Sequence, residues 1–492
     1  MDTTSFITLQ NATIFSSTLF LIGAISFFVS IQHPPFPSRS PPRLTGLPFL
    51  GPVEALTAPW RLFQRGIAIS RTGNFSFNLA HFRAVGLTSP LAREAFFNHP
   101  GMGFTEGYNT MFNPNDGSTQ EQRDREAEEY SRRLKALMTK EWLEKGLENL
   151  ISDVNSRFDE LGTSGMMNPF YFIHEVVFHL TVGTVGCREI AEDPVLRAKA
   201  LDLVEIYDSC NTASTMLFPQ LPVPSKFRRL IAGIKFYQMM DGIVAERKRT
   251  GRTETDPLQF LMEQGDTVVA ITKFIYGSLF AGVINTGVNA SWTLCQLATN
   301  PEWMAKARAE ITELGAKYAD DLEAPLAQQL RSVPLGAWES ELPILDLCVK
   351  ETLRLHFQNP MLRRNISAGD IEIGDEVVPK DAIVFFFTST VMMDATKYRD
   401  PELWDPSRFL PDRAEDKIGG PHTFLAWGSG KHPCRGMRFA KLEMNIIFAF
   451  FLARFQYDVL DGSKTKLEAP PKAGPRNFQL TKEDMHLRYQ AV

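Results

Sequence analysis

Paired cysteines are missing from this chain. It holds five cysteines, an odd number with no C-x-x-C pair, so neither a disulfide framework nor a zinc knuckle is indicated. Reduced thiols and a cytosolic setting follow. A basic excess is missing too, since the formal net charge of −5 gives no footing for a nucleic acid partner. No internal repeat occurs, and after about residue 45 no long polar linker divides the 492 residues, so one large domain is expected over residues 51–492.

Charge is absent from Ala12 to Ile31, a run of the roughly 20 residues needed to cross a bilayer core. The segment before it has Asp2 but no Lys or Arg, and the run ends in His33-Pro34-Pro35-Phe36-Pro37 rather than a small-residue cleavage site. Both features favour a retained N-terminal transmembrane helix within residues 1–32 over a cleaved signal peptide. Arg39 and Arg43 behind it place the rest of the chain on the cytosolic side. Residues 33–50 are proline-rich and read as a stiff hinge.

What is present is mostly helical periodicity. Helices are expected at Pro90 to Asn98, Gln120 to Met138, Leu143 to Leu161, Pro169 to Val185, Pro194 to Cys210, Lys226 to Lys248, Asp256 to Gln264, Val268 to Thr299, Pro301 to Tyr318 and Pro343 to Leu355. Short alternating segments near Asn74 to Gly86, Asp370 to Pro379, Ala382 to Phe387, Phe478 to Leu480 and Met485 to Tyr489 read as strands. The expected fold is therefore mainly α with small β-sheets. Thirty-seven Phe fill a core and can also line an apolar pocket.

One segment stands apart, Trp427 to Gly436, reading WGSGKHPCRG. Gly428, Gly430 and Gly436 allow backbone conformations and close approaches that a side chain would block, and Pro433 fixes a dihedral just before Cys434. The following RGMRFAKLEMNIIFAFFLARF reads as a helix, so Cys434 sits at a helix N-terminus where amide groups favour a thiolate. Such a thiolate can ligate a metal. Cys187, Cys210, Cys295 and Cys348 carry no comparable setting and read as small core residues.

This segment resembles the haem-binding loop of the cytochrome P-450 superfamily, an aromatic, Gly, x, Gly, x, Arg or His, x, Cys, x, Gly, with Trp427 in place of the usual Phe. The resemblance implies a P-450 fold behind the N-terminal membrane helix and heme b with Cys434 as its axial ligand. Glu351 and Arg354 fall on one helix face, where they can pair. With Arg408 in WDPSRF they match the superfamily's buried charge network beneath the haem loop. His432 matches the position that binds a haem propionate, with Arg363 or Arg364 and Arg132 or Arg133 as further candidates; Trp427 and Gly428 would lie against the haem.

Gly277, Gly282 and Gly287 each cost about 1 kcal/mol relative to Ala inside the Val268 to Thr299 helix, so some other interaction must favour them. By resemblance, Ala281-Gly282 is the small pair over the haem. An acid and then a Thr usually follow, but Ile284 and Asn285 stand there. Asn285 and its neighbour Thr286 are the candidates for proton delivery, since dioxygen cleavage needs protons and an amide or hydroxyl can donate. An Asn here is similar to sterol hydroxylases and to prostacyclin-type isomerases.

The resemblance implies a monooxygenase acting on a lipophilic small molecule, terpenoid or sterol-like, as in eukaryotic specialised metabolism, with dioxygen and electrons from NADPH through a cytochrome reductase. The alternative is a haem-thiolate isomerase or dehydratase that turns over a peroxide without reductase; a non-catalytic carrier is a third class. Lys431, Arg435, Arg438 and Lys441 form a basic patch where an acidic reductase would dock. Substrate walls are expected from Gly103 to Tyr108, Leu217 to Leu221, Phe280, Asn285, Asn359 to Leu362 and Phe478. The resemblance further implies an endoplasmic reticulum location, with the catalytic domain in the cytosol.

Overall fold

Alternating apolar residues over β1 (Phe75–Leu79) and β2 (Phe82–Leu87) pair into an antiparallel hairpin, Phe75 opposite Gly86. Two strands from far along the chain, β3 (Pro360–Asn365) and β4 (Ile383–Phe387), complete this sheet. β2 runs parallel to β4, β3 pairs antiparallel with β4, and the short Met102–Gly103 strand closes the edge. The rings of Phe63, Phe75, Phe77, Phe385 and Phe387 pack along it, with neighbouring centroids 5.1–5.9 Å apart. These five phenylalanines are thus sheet core. The computed structural model describes residues 35–112, 119–217, 222–469 and 484–492. These strands belong to one of two units, Met1–Met111 with Pro360–Phe387; the other is Phe112–Asn359 with Thr388–Val492.

The second unit is helical. Its helices that matter here are α1 (Gln120–Leu137), α2 (Pro169–Val185), α3 (Pro194–Ser209), α4 (Pro224–Thr250), α5 (Val268–Ala298), α6 (Pro343–His356) and α7 (Met437–Arg454). Most begin with a sequence-legible cap: Thr119 closes a capping box with Gln122, Asn168 and Asp193 accept from the first turn, and Pro follows at the first helical position of α2, α3, α4 and α6. A three-stranded sheet of Phe455–Leu460, His486–Ala491 and Ser164–Met167 packs beside them.

The apolar α5 crosses the middle of this unit. Among the described residues it alone is long and apolar enough to cross a membrane, with a mean hydropathy of 1.6 over its best window. It is a packing helix: Trp292 stacks on His356 of α6 at 3.9 Å and meets Phe170 of α2 at 5.4 Å. The expected membrane helix of residues 1–32, the strand at Phe478 to Leu480, and residues 218–221 and Phe478 of the expected substrate walls lie outside the described residues.

Candidate functional site

The cysteine loop is built by its glycines. Gly428 has φ +70°, and a Cβ there would lie 2.5 Å from the carbonyl oxygen of His432, so only glycine permits the short pairing of Gly428–Ser429 with His432–Pro433. The amide of Cys434 then donates to the carbonyl of Trp427 at 2.7 Å. α7 begins at Met437, later than Arg435, and puts the amides of Gly436 and Met437 toward the sulfur. Burial on the protein side raises the Cys434 thiol above its ordinary range, and these two amides oppose it. Cys434 is nevertheless the one exposed cysteine; the other four are buried.

Behind the loop lies the charge network. Glu351 accepts from Arg354 Nε at 2.7 Å and Nη2 at 2.8 Å, and from Arg408 Nε at 3.0 Å, with all three side chains buried. The structure therefore brings Glu351, Arg354 and Arg408 together. Glu415, which the sequence reading missed, accepts from Arg408 Nη1 at 2.9 Å and from Arg413, which also pairs with Asp405, so the cluster balances three carboxylates against three guanidinium groups. A carboxylate close after an Arg in PSRFLPDRAE was the available signal.

On α5, Phe280, Ala281 and Asn285 are exposed while the helix around them is largely buried. Asn285 directs its amide toward the carbonyl of Ala281 at 3.5 Å, and Asn289 takes the Asn285 carbonyl at 2.7 Å. Thr286 is buried, a helical step away from the exposed stripe. Tyr130 of α1 packs on Phe274 of α5 at 5.3 Å. Its hydroxyl accepts from Ser278 at 3.3 Å, and its pKa is raised by burial, lowered by the Ser278 bond and raised again by the Cys434 charge.

The candidate propionate partners fall into different settings. Arg133 is paired with Asp266 and Glu129, whereas neighbouring Arg132 is exposed with no hydrogen-bond partner among the described residues. In the first unit, Arg363 is fully buried between Phe96 and Phe104, donates Nη1 to the carbonyl of Leu362, and leaves Nε and Nη2 without a partner. Burial pulls its pKa down to about 10. A buried cation with two unused donors is what a carboxylate-bearing ligand complements. Arg364 is instead bonded to Thr110. His432 is exposed in the loop. Of the basic patch, Arg438 is paired with Glu339 and Lys441 with Asp346, which leaves Lys431 and Arg435 exposed and without an ion pair among the described residues.

Within the second unit two surfaces fit a haem: an exposed thiol on a glycine loop and an apolar helix face exposed at Phe280. Residues 88–482 match the cytochrome P450 family model. The chain belongs to the cytochrome P450 family. The cytochrome P450 monooxygenase nsrP of Aspergillus novofumigatus is 34% identical over 463 residues, covering 91% of this chain and 89% of the relative. The monooxygenase AacuE of Aspergillus aculeatus is 30% identical over 479 residues, covering 92% and 94%. A sterol 14-demethylase of Arabidopsis thaliana is 28% identical over 64% of each chain. The solved structure of cyanobacterial CYP120A1 with retinoic acid bound shares the fold at a TM-score of 0.68 and 19% identity, covering 92% of this chain and 99% of that one. Family and fold carry haem ligated by a cysteine thiolate, and the relatives named as monooxygenases make this P450 an oxidoreductase. Similarity to named fungal enzymes also fits specialised metabolism.

Proposed function

We propose that this P450 is a membrane-anchored monooxygenase that oxidises a lipophilic, terpenoid or sterol-like molecule with dioxygen and electrons from an NADPH-dependent reductase. The observation that carries this reading is Cys434, the one exposed cysteine, held on its glycine loop at the start of α7; the exposed Phe280, Ala281 and Asn285 of α5 support it. Cys434 would hold the haem iron, with Arg363, Arg132 and His432 on its propionates. Bound there, the haem supplies activation of dioxygen.

The protein's own residues do the rest. Phe280 offers an apolar wall that excludes water and orients an apolar substrate. Asn285, with its side chain on the exposed face, holds a donor where the usual acid and alcohol are missing, and its amide can order a water that carries the proton. Thr286 is buried, away from the exposed face that carries Asn285. Lys431 and Arg435 would steer an acidic reductase. The charge-free Ala12 to Ile31 run with Arg39 and Arg43 behind it supports a cytosolic catalytic domain, and the resemblance to membrane-bound family members supports the endoplasmic reticulum as its membrane.

The test is the carbon monoxide difference spectrum of the reduced protein, followed by product formation from terpenoids and sterols with and without reductase. A thiolate-type band that is lost in Cys434→Ala, and product that requires reductase, are expected. A band that survives Cys434→Ala sinks the ligand assignment. Product from a peroxide substrate without reductase replaces the monooxygenase by the isomerase.

A further inference from the structure

Asp208 and Tyr276 form a polar pair that oxygen chemistry does not use. Tyr276 lies on α5 one turn before Phe280, at the opposite edge of the exposed face from Asn285, which is two and a half turns further on. Its ring stacks on Phe280 at 6.5 Å, meets Tyr207 of α3 at 4.5 Å and stands edge-on to Phe236 of α4 at 6.3 Å. The Tyr276 hydroxyl donates to Asp208 Oδ1. α3, α4 and α5 thus converge on one aromatic node with a carboxylate in it.

That carboxylate is short of donors. A carboxylate offers about four acceptor sites, and among the described residues Tyr276 is the side chain that fills one at Asp208. Arg229 of α4 is near, but its guanidinium is engaged elsewhere. Nη1 donates to the carbonyl of Phe112 and to Asn211 Oδ1, both at 3.1 Å, Nη2 donates to the Tyr207 hydroxyl at 3.1 Å, and the group lies 4.4 Å over the Tyr207 ring. Burial pushes Asp208 up to about 6 against the Tyr276 bond and the Arg229 charge, as expected of a carboxylate with too few donors.

We propose that Asp208, oriented by Tyr276, is the specificity-determining acceptor for a hydroxyl group at the end of the substrate remote from the oxidised carbon. The inference rests on the monooxygenase reading above and adds the substrate's shape. At 1.5 Å per residue, Tyr276 lies about 13 Å along α5 from Asn285, and half a turn around it. The favoured substrate is an elongated apolar molecule of about that length whose far end carries a hydroxyl. A half-buried anionic acceptor discriminates for such a group, because its hydrogen bond is charge-assisted.

The experiment needs no substrate. Alkylimidazoles of increasing chain length, ending in methyl, hydroxyl or carboxylate, are titrated into the holoprotein, and binding is read from the optical shift as the imidazole nitrogen meets the haem iron. At one chain length the hydroxyl ligand is expected to bind about 10-fold or more tighter than its methyl partner, the scale of a hydrogen bond to a charged group. That gain disappears in Asp208→Ala and shrinks to a few-fold in Asp208→Asn, a neutral acceptor of the same shape. Methyl-ended ligands, which bind both variants as they bind the wild type, control for folding. The inference is overturned if no chain length favours the hydroxyl, if the gain survives Asp208→Ala, or if the carboxylate tail binds best, which would make Arg229 the reader. The assay involves no turnover, so loss of the hydroxyl preference with normal oxidation refutes this inference alone. The absence of any optical shift refutes the haem reading beneath both.

Discussion

Replacing Glu351 with Gln tests the buried network at its centre. The carboxylate receives four donors, Arg354 Nε and Nη2, Arg408 Nε and the amide of Asp405, the last at 3.0 Å. Glutamine keeps the volume, removes the one anion that faces both Arg354 and Arg408, and points an NH₂ at donors. Breaking one side of a buried ion pair costs about 3–5 kcal/mol, against a total stability of about 5–15 kcal/mol. The measurement is urea unfolding followed by tryptophan fluorescence and circular dichroism. The midpoint should fall with unchanged slope. A second variant separates charge from architecture. Replacing Glu351, Arg354 and Arg408 together by Leu or Met removes every charge of the triad, which in other proteins can be neutral. Here it should not be. The two guanidinium groups also donate to the carbonyls of Met392, Asp400, Pro401 and Leu403 at 2.7–2.9 Å, and each orphaned carbonyl costs about 1–3 kcal/mol. A Glu351→Gln protein within about 1 kcal/mol of wild type, or an apolar triple variant as stable as wild type, refutes the reasoning.

The remaining predictions use other parts of the molecule. Gly242→Ala, in α4 where an added Cβ meets nothing within 4 Å, should stabilise by about 0.4–1 kcal/mol, while Gly287→Ala in α5 should destabilise by about 1–3 kcal/mol because its Cβ would lie 3.2 Å from the His174 backbone; thermal unfolding of both decides. Arg363→Met should leave the haem-free protein at least as stable, since it removes a buried cation with two unused donors, yet accelerate haem loss to an acceptor by about 10-fold. Asp208, raised from 3.8 to about 6, binds more protons folded than unfolded between those values, so its ionisation costs roughly 3 kcal/mol above about pH 6 and that cost vanishes as pH falls toward 4. Urea midpoints measured from pH 4 to 7 should show that slope, with Tyr276, Arg229 and Glu205 as its charged and polar surroundings, and Asp208→Asn should flatten it.

Local signals were legible where the chemistry is local. α2 and the Pro301–Tyr318 helix fall on their expected boundaries because Pro starts both, and the cysteine loop closes as its glycines require. The strand Pro360–Asn365 was not legible as a strand. It lies in FQNPMLRRN, which has no period of two, and it is set by pairing with β4 from beyond an intervening hairpin. Arg363 illustrates the same limit from the side of function. The sequence shows two adjacent arginines, and strand alternation, invisible without the strand, decides that Arg363 turns inward to Phe96 while Arg364 turns toward Thr110.

The three glycines of α5 carry this further. The sequence showed that something must offset their helix cost and pointed, by resemblance, at Ala281-Gly282 as the space over a haem. In the structure the exposed member of that pair is Ala281. Added Cβ atoms at Gly277, Gly282 and Gly287 would face Tyr130, Thr181 and His174, at 3.4, 3.2 and 3.2 Å. Each glycine lets α5 lie close against α1 or α2. The close approach on that side leaves Phe280, Ala281 and Asn285 as the face not covered by those helices, so the packing that requires glycine also determines which side of α5 is free for chemistry. A sequence pattern could register the cost of the glycines, but only the neighbouring helices assign each one a partner, because those partners lie more than a hundred residues upstream.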